Sequence, residues 1–408
     1  MLGVMAAVYL FNLVDRGLMM LLLEPIKEDL GLSDTQLGFL TGIAFALFYA
    51  TLGLPMARWA DRGNRVTIAS LAVALWAVTV MSCMLVTNYA QLVLARIAAA
   101  VGESGSNPPT YSLVGDYFPE AGERSRALSV YVSGSTLSAL LSFMLGGWLN
   151  EQYGWRMTFF LLGIPGLLLA ILVKLTVREP RVNVHAVTKS IKPAPFFRDV
   201  LSLLWNQRSC RHLSIALIVL YMMSLGLSPW YAAFLMRSHG MGTAELGIWL
   251  GLIVGVGGTA GILLGGYGAS RFYAHDERGQ LRAIAFGIAS LVPCLAAFLL
   301  LPHKHQALMA LVPIAVAFNF FFGPVFALLQ RLVPEDMRAT TLAVVMLFAN
   351  LIGMGLGPQI VGILSDVLRP SLGADALRYS MLMVSGVAFW GAVHFWKTGE
   401  TIRADLEA

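Results

Sequence analysis

Residues 57–65 of this chain are ARWADRGNR, and they separate two long apolar stretches at residues 35–57 and 66–87. A helix needs about 20 mostly apolar residues to cross roughly 30 Å of hydrocarbon, because each residue adds about 1.5 Å. Each stretch is long enough, and the charged residues between them are too polar to enter hydrocarbon. This region therefore predicts two membrane-crossing helices joined by a short hydrophilic turn.

The same alternation of apolar stretches and polar turns extends over the whole chain. Of its 408 residues, 57% are hydrophobic and only 12% are charged, whereas soluble domains carry about 25% charged residues. The predicted fold class is an all-α membrane protein with about twelve transmembrane helices in two six-helix halves. The predicted spans are residues 1–23, 35–57, 66–87, 91–115, 126–149, 155–177, 212–236, 246–270, 281–301, 306–330, 339–364 and 378–397.

The longest polar connection, residues 178–211, divides these spans six and six. We therefore predict an N-terminal half at residues 1–177, this cytoplasmic linker, a C-terminal half at 212–400 and a tail at 401–408. Within the linker, residues 196–205 (FFRDVLSLLW) place large apolar groups on one helical face. That pattern fits a helix lying on the inner leaflet or a segment packed against the ends of the bundle.

The two halves carry a similar turn at corresponding positions. YFPE at residues 117–120, followed by Arg124, precedes the fifth span, and LVPE at 332–335, followed by Arg338, precedes the eleventh. Duplicated halves that flank a site near the membrane midplane are one architecture of secondary transporters. The repeat therefore favours a transporter over a receptor.

The basic residues predict the orientation of the chain. An even number of spans puts both termini on one side, and twenty of the 28 lysines and arginines lie in loops on that side, against six on the other. Lysine and arginine are enriched in cytoplasmic loops, so both termini are expected in the cytoplasm. Because the basic residues are dispersed rather than clustered with aromatic residues, nucleic acid is not an expected partner.

Several catalytic classes find no support in the sequence. None of the lysines follows a glycine, so the phosphate-binding loop of an ATP-driven pump is absent. The three cysteines lack metal-ligand spacing, and the seven histidines lie mostly at loops and span ends. We expect no enzyme activity, no cofactor and no metal.

Residues 57–65 resemble the loop signature of the major facilitator superfamily, in which a glycine is followed by Asp-Arg and then Gly-Arg. Asp61, Arg62 and Arg65 match this signature, whereas both of its glycines are replaced. The turn at residues 266–271, GYGASR, is similar to a degraded second copy that keeps glycine and arginine.

The resemblance implies a latch that closes the cytoplasmic face. Asp61 would accept hydrogen bonds from a helix N-terminus of the other half, and nearby arginines would pair with carboxylates. The alternative is that these charges only set the topology. The predicted cytoplasmic gate residues are Asp61, Arg62, Arg65, Arg124, Arg126 and Arg271.

Two further segments, FNLVDR at residues 11–16 and Arg96 followed by VGES at 101–104, are similar to the Spinster branch of this superfamily. Members of that branch export lysophospholipids and sphingosine phosphate. The resemblance implies a bacterial-type member in the inner membrane that moves amphiphilic, lipid-like anions or zwitterions by alternating access. An Asp-Arg pair in the first helix also occurs in organic-anion symporters, so small organic anions or other hydrophilic metabolites remain the alternative.

Four ionisable residues lie clearly inside the spans, namely Asp15, Arg16, Arg96 and Glu103. Such a residue costs about 2.5 to 3.5 kcal/mol at mid-membrane on insertion scales, so these should face the bundle interior. Arg96 and Glu103 are seven residues apart and share one helical face. We predict that Arg16 or Arg96 binds an anionic headgroup and that Asp15 and Glu103 couple transport to protons. The alternative is an ion-pair network that only ties the first and fourth spans together.

The C-terminal half offers mainly aromatic and amide side chains. A cavity with one polar and one apolar wall suits an amphiphile, and the expected partners are the lipid bilayer, a small amphiphilic substrate and protons, with the chain acting as a monomer. Besides the two arginines, the predicted substrate-binding residues are Asn12, Tyr221, Trp230, Phe318, Asn319, Phe322 and Asn350.

Overall fold

The computed structural model describes residues 1–180, 197–273, 276–335 and 337–407. Within these ranges every regular element is helical, which confirms the all-α fold class. Nine helical runs among the described residues are long and apolar enough to cross a membrane. Residues 181–196 of the predicted linker, which include Phe196, lie outside the described residues.

The chain divides into two compact units, Met1–Lys189 with Gly240–Gly251 and Ser190–His239 with Leu252–Ala408. We call them the N-terminal and C-terminal units. The helices of the N-terminal unit are α1 (Leu2–Leu21), α2 (Leu23–Leu30), α3 (Asp34–Thr41), α4 (Ile43–Arg62), α5 (Arg65–Ser82), α6 (Tyr89–Ser104), α7 (Asn107–Tyr117), α8 (Ala121–Leu140), α9 (Gly146–Thr176) and α13 (Thr243–Leu250).

The C-terminal unit contains the remaining helices. They are α10 (Phe197–Asn206), α11 (Arg208–Leu227), α12 (Trp230–His239), α14 (Gly257–Phe272), α15 (Glu277–Leu300), α16 (Lys304–Phe320), α17 (Phe322–Arg331), α18 (Arg338–Phe348), α19 (Gly357–Leu372), α20 (Ala376–Ser385) and α21 (Val387–Glu407).

Each predicted span corresponds to helical structure, but several spans are interrupted. The fourth span breaks between α6 and α7, where Gly105 and Ser106 precede Pro108 and Pro109. Proline has no backbone N–H to continue the helical ladder, so the break lies where the ladder loses two donors. In α9, Gly154 has φ 77° and ψ 166°, a conformation that glycine tolerates best. The run consists of two helices joined at this residue, between the predicted fifth and sixth spans.

Three spans contain a π-helical segment, in which the hydrogen bonds reach one residue farther than in an α-helix. These segments are Leu141–Leu145, Gly251–Val256 and Ala349–Leu356, in the fifth, eighth and eleventh spans. The apolar pattern of the sequence did not predict them, because a π-helical turn changes the backbone and leaves composition unchanged.

Residues 240–251 pack in the N-terminal unit, although the sequence assigns them to the C-terminal half. The contact depends on two glycines. A Cβ atom on Gly147 would lie 2.3 Å from the Thr243 carbonyl oxygen, and one on Gly247 would lie 2.3 Å from the Phe143 carbonyl oxygen. The Asn150 amide also donates to the Thr243 hydroxyl over 3.1 Å. Backbones therefore touch here without intervening side chains.

Helix α10 lies where the amphipathic linker pattern predicts a helix. Val200 and Leu204 are buried, and the helix packs on α11 and α18. Phe197 and Trp205 are exposed on its surface. The helix thus packs against its unit through one face, and its position on the inner leaflet stays a prediction.

The contact between α5 and α6 supplies a test of the packing. A Cβ atom on Gly102 would lie 2.6 Å from the Trp76 backbone nitrogen. We expect Gly102→Ala to destabilise the protein by about 1–3 kcal/mol through overpacking, measured as a lower melting temperature of the purified protein in detergent. Gly115→Ala in α7 is the matched control, because its Cβ would meet nothing within 4 Å. Equal melting temperatures for the two variants would contradict this packing.

Candidate functional site

Two crossed ion pairs join α1 to α6 inside the N-terminal unit. Arg96 Nη1 lies 2.7 Å from Asp15 Oδ2. Arg16 Nη2 lies 2.6 Å from Glu103 Oε1, and its Nε donates to Oε2 over 3.3 Å. The four charges that the sequence singled out therefore form one cluster, in which each helix supplies one acid and one base.

Asn12, a predicted substrate-binding residue, extends this cluster by one turn of α1. Its amide donates to the Ser106 hydroxyl over 2.7 Å, and that hydroxyl donates to the Glu103 carbonyl over 2.9 Å. The break after α6 supplies the link, since Ser106 lies in the interruption between the two helices. Asn12 thus helps to hold α1 against the end of α6.

The two ion pairs differ in accessibility. Asp15, Arg96 and Glu103 are 2%, 4% and 1% exposed, whereas the Arg16 side chain is 22% exposed. Breaking a buried pair is costly, because the remaining charge has no water to stabilise it. Asp15–Arg96 is therefore the enclosed pair, and Arg16 is the charge of this cluster that a solute can reach most readily.

Two rings of α4 lie against the arginines. Arg16 Cζ is 4.6 Å from the Phe45 ring centroid and 4.7 Å from that of Tyr49, and Arg96 Cζ is 4.9 Å from the Phe45 centroid. Such contacts attract a guanidinium and orient its plane. Neither ring was predicted as part of the site, because an aromatic pair four residues apart in a membrane helix is usually packing.

A polar network adjoins Tyr49. The Asn107 amide donates to the Tyr49 hydroxyl over 3.3 Å, and the Tyr131 hydroxyl donates to Asn107 Oδ1 over 2.7 Å. The Tyr9 and Tyr131 ring centroids are 4.6 Å apart. An asparagine inside an apolar span was the available signal for this network, and the sequence analysis did not use it.

In the C-terminal unit, two of the predicted substrate-binding residues form a partly exposed aromatic pair. The ring centroids of Tyr221 and Phe322 are 4.8 Å apart, and Phe322 stacks on Phe326 at 6.2 Å. Asn319 and Asn350 are half-buried, and each donates its amide to the backbone carbonyl four residues earlier in its helix. Each of these amides keeps a carbonyl oxygen that can accept a further hydrogen bond.

Trp230 and Phe318 are more enclosed than the other predicted contacts. Trp230 is 0% exposed and donates its indole N–H to the Pro358 carbonyl over 3.2 Å. Phe318 is also buried. In this structure both side chains pack helices together, so a solute would meet them only after a change in that packing.

Two of the predicted gate residues bind within their own unit. Arg65 is fully buried, pairs with Asp116 at 2.7 Å and contacts Glu179 through its guanidinium and its backbone N–H. Arg124 donates to the carbonyls of Phe118 and Pro119 over 3.2 and 3.0 Å. Arg65 therefore joins the start of α5 to α7 and to the segment after α9.

The other four gate residues, Asp61, Arg62, Arg126 and Arg271, are exposed. Their role in a latch stays a prediction. Among the described residues, no group of three or more histidine, cysteine, aspartate or glutamate side chains could hold a metal ion.

Comparisons with known proteins agree with this architecture. The family model of the Major Facilitator Superfamily matches residues 5–358. An MFS-type efflux pump of Mycolicibacterium smegmatis is 33% identical over 99% of this chain and 93% of its own length. A probable L-galactonate transporter of Escherichia coli is 26% identical over 94% of this chain and 85% of its own length.

A crystal structure of a bacterial homolog of the human lysosomal transporter Spinster superimposes with a TM-score of 0.88. It is 28% identical in sequence, and the match covers 99% of this chain and 97% of that one. The predicted family, including its Spinster branch, is confirmed, as is the expectation of a transporter rather than an enzyme.

The enclosed pair predicts a specific stability effect. Asp15→Asn leaves the Arg96 charge buried and unpaired, so we expect a loss of about 3–5 kcal/mol in unfolding free energy. The double variant Asp15→Asn with Arg96→Gln should recover part of this loss. The measurement is chemical unfolding of the purified protein.

The matched control is Asp29→Asn. Asp29 pairs with Arg156 at 2.7 Å, and these side chains are 41% and 33% exposed, so its loss should cost about 0–1 kcal/mol. If Asp15→Asn proved as mild as Asp29→Asn, the α1–α6 pair would not be the tight, enclosed contact described above.

Proposed function

This chain belongs to the Major Facilitator Superfamily, and we propose that it is a proton-coupled secondary transporter of amphiphilic, lipid-like anions or zwitterions such as lysophospholipid or sphingosine phosphate. Transport proceeds by alternating access. The observation that carries the proposal is the crossed ion-pair cluster, in which an enclosed acid–base pair lies beside one that is partly exposed at Arg16.

Arg16 is the proposed headgroup ligand. A guanidinium binds phosphate through two parallel hydrogen bonds, and Arg16 already binds the Glu103 carboxylate in this manner. A phosphate or carboxylate of the solute therefore competes with Glu103 for the same donors. The rings of Phe45 and Tyr49 keep the guanidinium oriented during the exchange. Arg96 serves the same purpose only if its pair with Asp15 opens.

Glu103 is the proposed primary proton acceptor, with Asp15 as the second candidate. A carboxylate that loses its arginine partner in a site poor in water favours its protonated form. Solute binding at Arg16 and protonation of Glu103 then favour each other, as linked equilibria require. The proton gradient thereby biases the inward-open and outward-open populations.

The aromatic residues of the C-terminal unit support a solute with an apolar part. Tyr221 and Phe322 present partly exposed rings, and the half-buried Asn319 and Asn350 of the same unit add amide oxygens. The similarity to the bacterial homolog of Spinster supports the Spinster branch, and the resemblance to that branch implies a lipid-like solute. These rings are the proposed contacts of the solute tail.

The second candidate function is symport or antiport of small organic anions or other hydrophilic metabolites. The similarity to the probable L-galactonate transporter favours it. A hydrophilic anion would use Arg16 and Glu103 in the same way without needing the aromatic side chains.

We also propose which membrane the chain lies in and which residues close its cytoplasmic face. We place the chain as a monomer in a bacterial inner membrane, with both termini in the cytoplasm, because the basic residues concentrate on that side. Asp61, Arg62, Arg126 and Arg271 are exposed, and they are the proposed residues that close the cytoplasmic face. Arg65 and Arg124 support that gate from within the N-terminal unit.

Proton coupling is tested by reconstituting the protein with labelled lysophospholipid and an imposed pH gradient. We expect Glu103→Gln to abolish the gradient-driven component, since the amide cannot take up a proton, while solute binding persists. Asp15→Asn should act in the same direction where the variant folds. Asp29→Asn, from an exposed pair, should transport as the wild type does. Unchanged pH dependence in both Glu103→Gln and Asp15→Asn would refute the coupling scheme.

Phe322→Ala separates the two candidate solutes. Removing a ring that buries a solute tail loses about 1.5–3 kcal/mol, which corresponds to a roughly tenfold to hundredfold weaker affinity for lysophospholipid. Affinity for L-galactonate should not change. Binding competition measures both, and Phe389→Ala, at an exposed ring of α21, is the control. Strong competition by L-galactonate with none by lysophospholipid would establish the second function instead.

A further inference from the structure

The C-terminal unit contains an apolar crevice made of residues other than the proposed solute contacts. Helices α14 and α15 each pack on α16, and a cavity of about 680 Å³ lies among them. Small residues line α14 and α15 here, including Gly268 and Ala283, and Val316 and Phe320 of α16 line the cavity as well. The small side chains leave a space that hydrocarbon can fill.

The crevice continues into a more polar mouth. A second cavity, of about 290 Å³, shares Tyr273 and Gln280 with the first and adds Ser270 and Arg331. Arg331 Nη2 lies 2.7 Å from Glu277 Oε1. Arg331 lines the mouth, and Glu277, which lines neither cavity, is its ion-pair partner, so a positive and a negative group are adjacent at the end of an apolar space.

Gln280 is buried where the two cavities meet, with only 8% of its surface exposed. Within the four described ranges its side-chain amide makes no hydrogen bond, yet its nitrogen and oxygen are not fully enclosed by protein. An amide that lines a cavity without a protein partner can both donate to and accept from a ligand there. Its position at the junction thus indicates a ligand with a hydrogen-bonding group at that depth.

The rim of the crevice is apolar and open. Leu264, Tyr267 and Phe272 of α14 are 53%, 62% and 71% exposed, and they belong to the membrane-crossing run Thr243–Phe272. Exposed apolar side chains of a membrane-crossing helix face the hydrocarbon of the bilayer, so this rim lies next to lipid acyl chains. An open rim admits one chain of a lipid while the remainder of the molecule stays in the bilayer.

We propose that this crevice binds a membrane phospholipid with a zwitterionic phosphoethanolamine headgroup and holds one of its acyl chains. The acyl chain lies among α14, α15 and α16. The phosphate accepts hydrogen bonds from Arg331 and from the Gln280 amide, and the ammonium group donates to Glu277. The two signs of the headgroup match the two signs of the mouth. This lipid is a bound component of the protein rather than the transported solute, and the proposal does not depend on the identity of that solute.

The crevice is tested by photolabelling the full chain in nanodiscs with a phosphatidylethanolamine that carries a diazirine near the end of one acyl chain. Labelled peptides are mapped by mass spectrometry. We expect labels on α14, α15 and α16. A Cβ on Gly268 would lie 3.4 Å from the Phe320 ring, so Gly268→Leu should fill the space and reduce this labelling roughly tenfold. Leu263→Phe, at an exposed position of the same helix outside the crevice, is the control. Equal labelling in Gly268→Leu and wild type would overturn the proposal.

The identity of the headgroup is tested by comparing two phospholipids. Phosphatidylglycerol lacks the ammonium group, so it should compete roughly tenfold less well than phosphatidylethanolamine, and Glu277→Gln should remove this preference. Gln280→Leu should weaken binding of both lipids, whereas Gln330→Leu, at an exposed position of α17, should not. Equal competition by the two lipids in the wild type would overturn the assignment. Because the readout is binding, it stands apart from any failure of the transport proposal.

Discussion

A charge inside a membrane protein must be accompanied by its partner, and the crossed pairs between α1 and α6 satisfy this constraint. Each helix carries one acid and one base, so neither pair leaves a net charge in hydrocarbon. The enclosed pair fixes how the two helices meet. The more exposed pair leaves Arg16 within reach of another anion, held by aromatic rings. Asp15, in the enclosed pair, thus stabilises the contact between the two helices, while the adjacent Arg16 is the residue that can exchange its anionic partner.

The sequence predicts the spans well because the physical signal is strong and local. A run of about 20 apolar residues has few alternatives to a membrane helix. The interruptions are harder, because the π-helical segments and the turn at Gly154 depend on backbone geometry that composition does not record. The packing of residues 240–251 with the N-terminal unit was also missed. It depends on Gly147 and Gly247 meeting across a large sequence separation, which no local pattern encodes.

The residues of the candidate site were also predicted only in part. Asp15, Arg16, Arg96 and Glu103 were found because ionisable residues are rare in spans. Which acid would pair with which base stayed open, since the rotation of each helix about its axis follows from packing. Phe45 was missed because an aromatic ring in a membrane helix has many ordinary uses. The predicted solute contacts fall into two groups. Trp230 and Phe318 pack helices together, whereas the other predicted contacts in the C-terminal unit retain exposed surface.

The distance along the chain between the paired charges has a consequence for biogenesis. Arg96 is 81 residues after Asp15, and Glu103 is 87 residues after Arg16. During synthesis, α1 therefore reaches the translocon well before either partner has left the ribosome. Asp15 and Arg16 are adjacent in α1, so each neutralises the charge of the other only in part. We therefore expect α1 to be less stable in lipid until α6 is inserted. Because α6 is synthesised after α1, we expect α1 to be fully stabilised in the bilayer only once α6 has been inserted beside it.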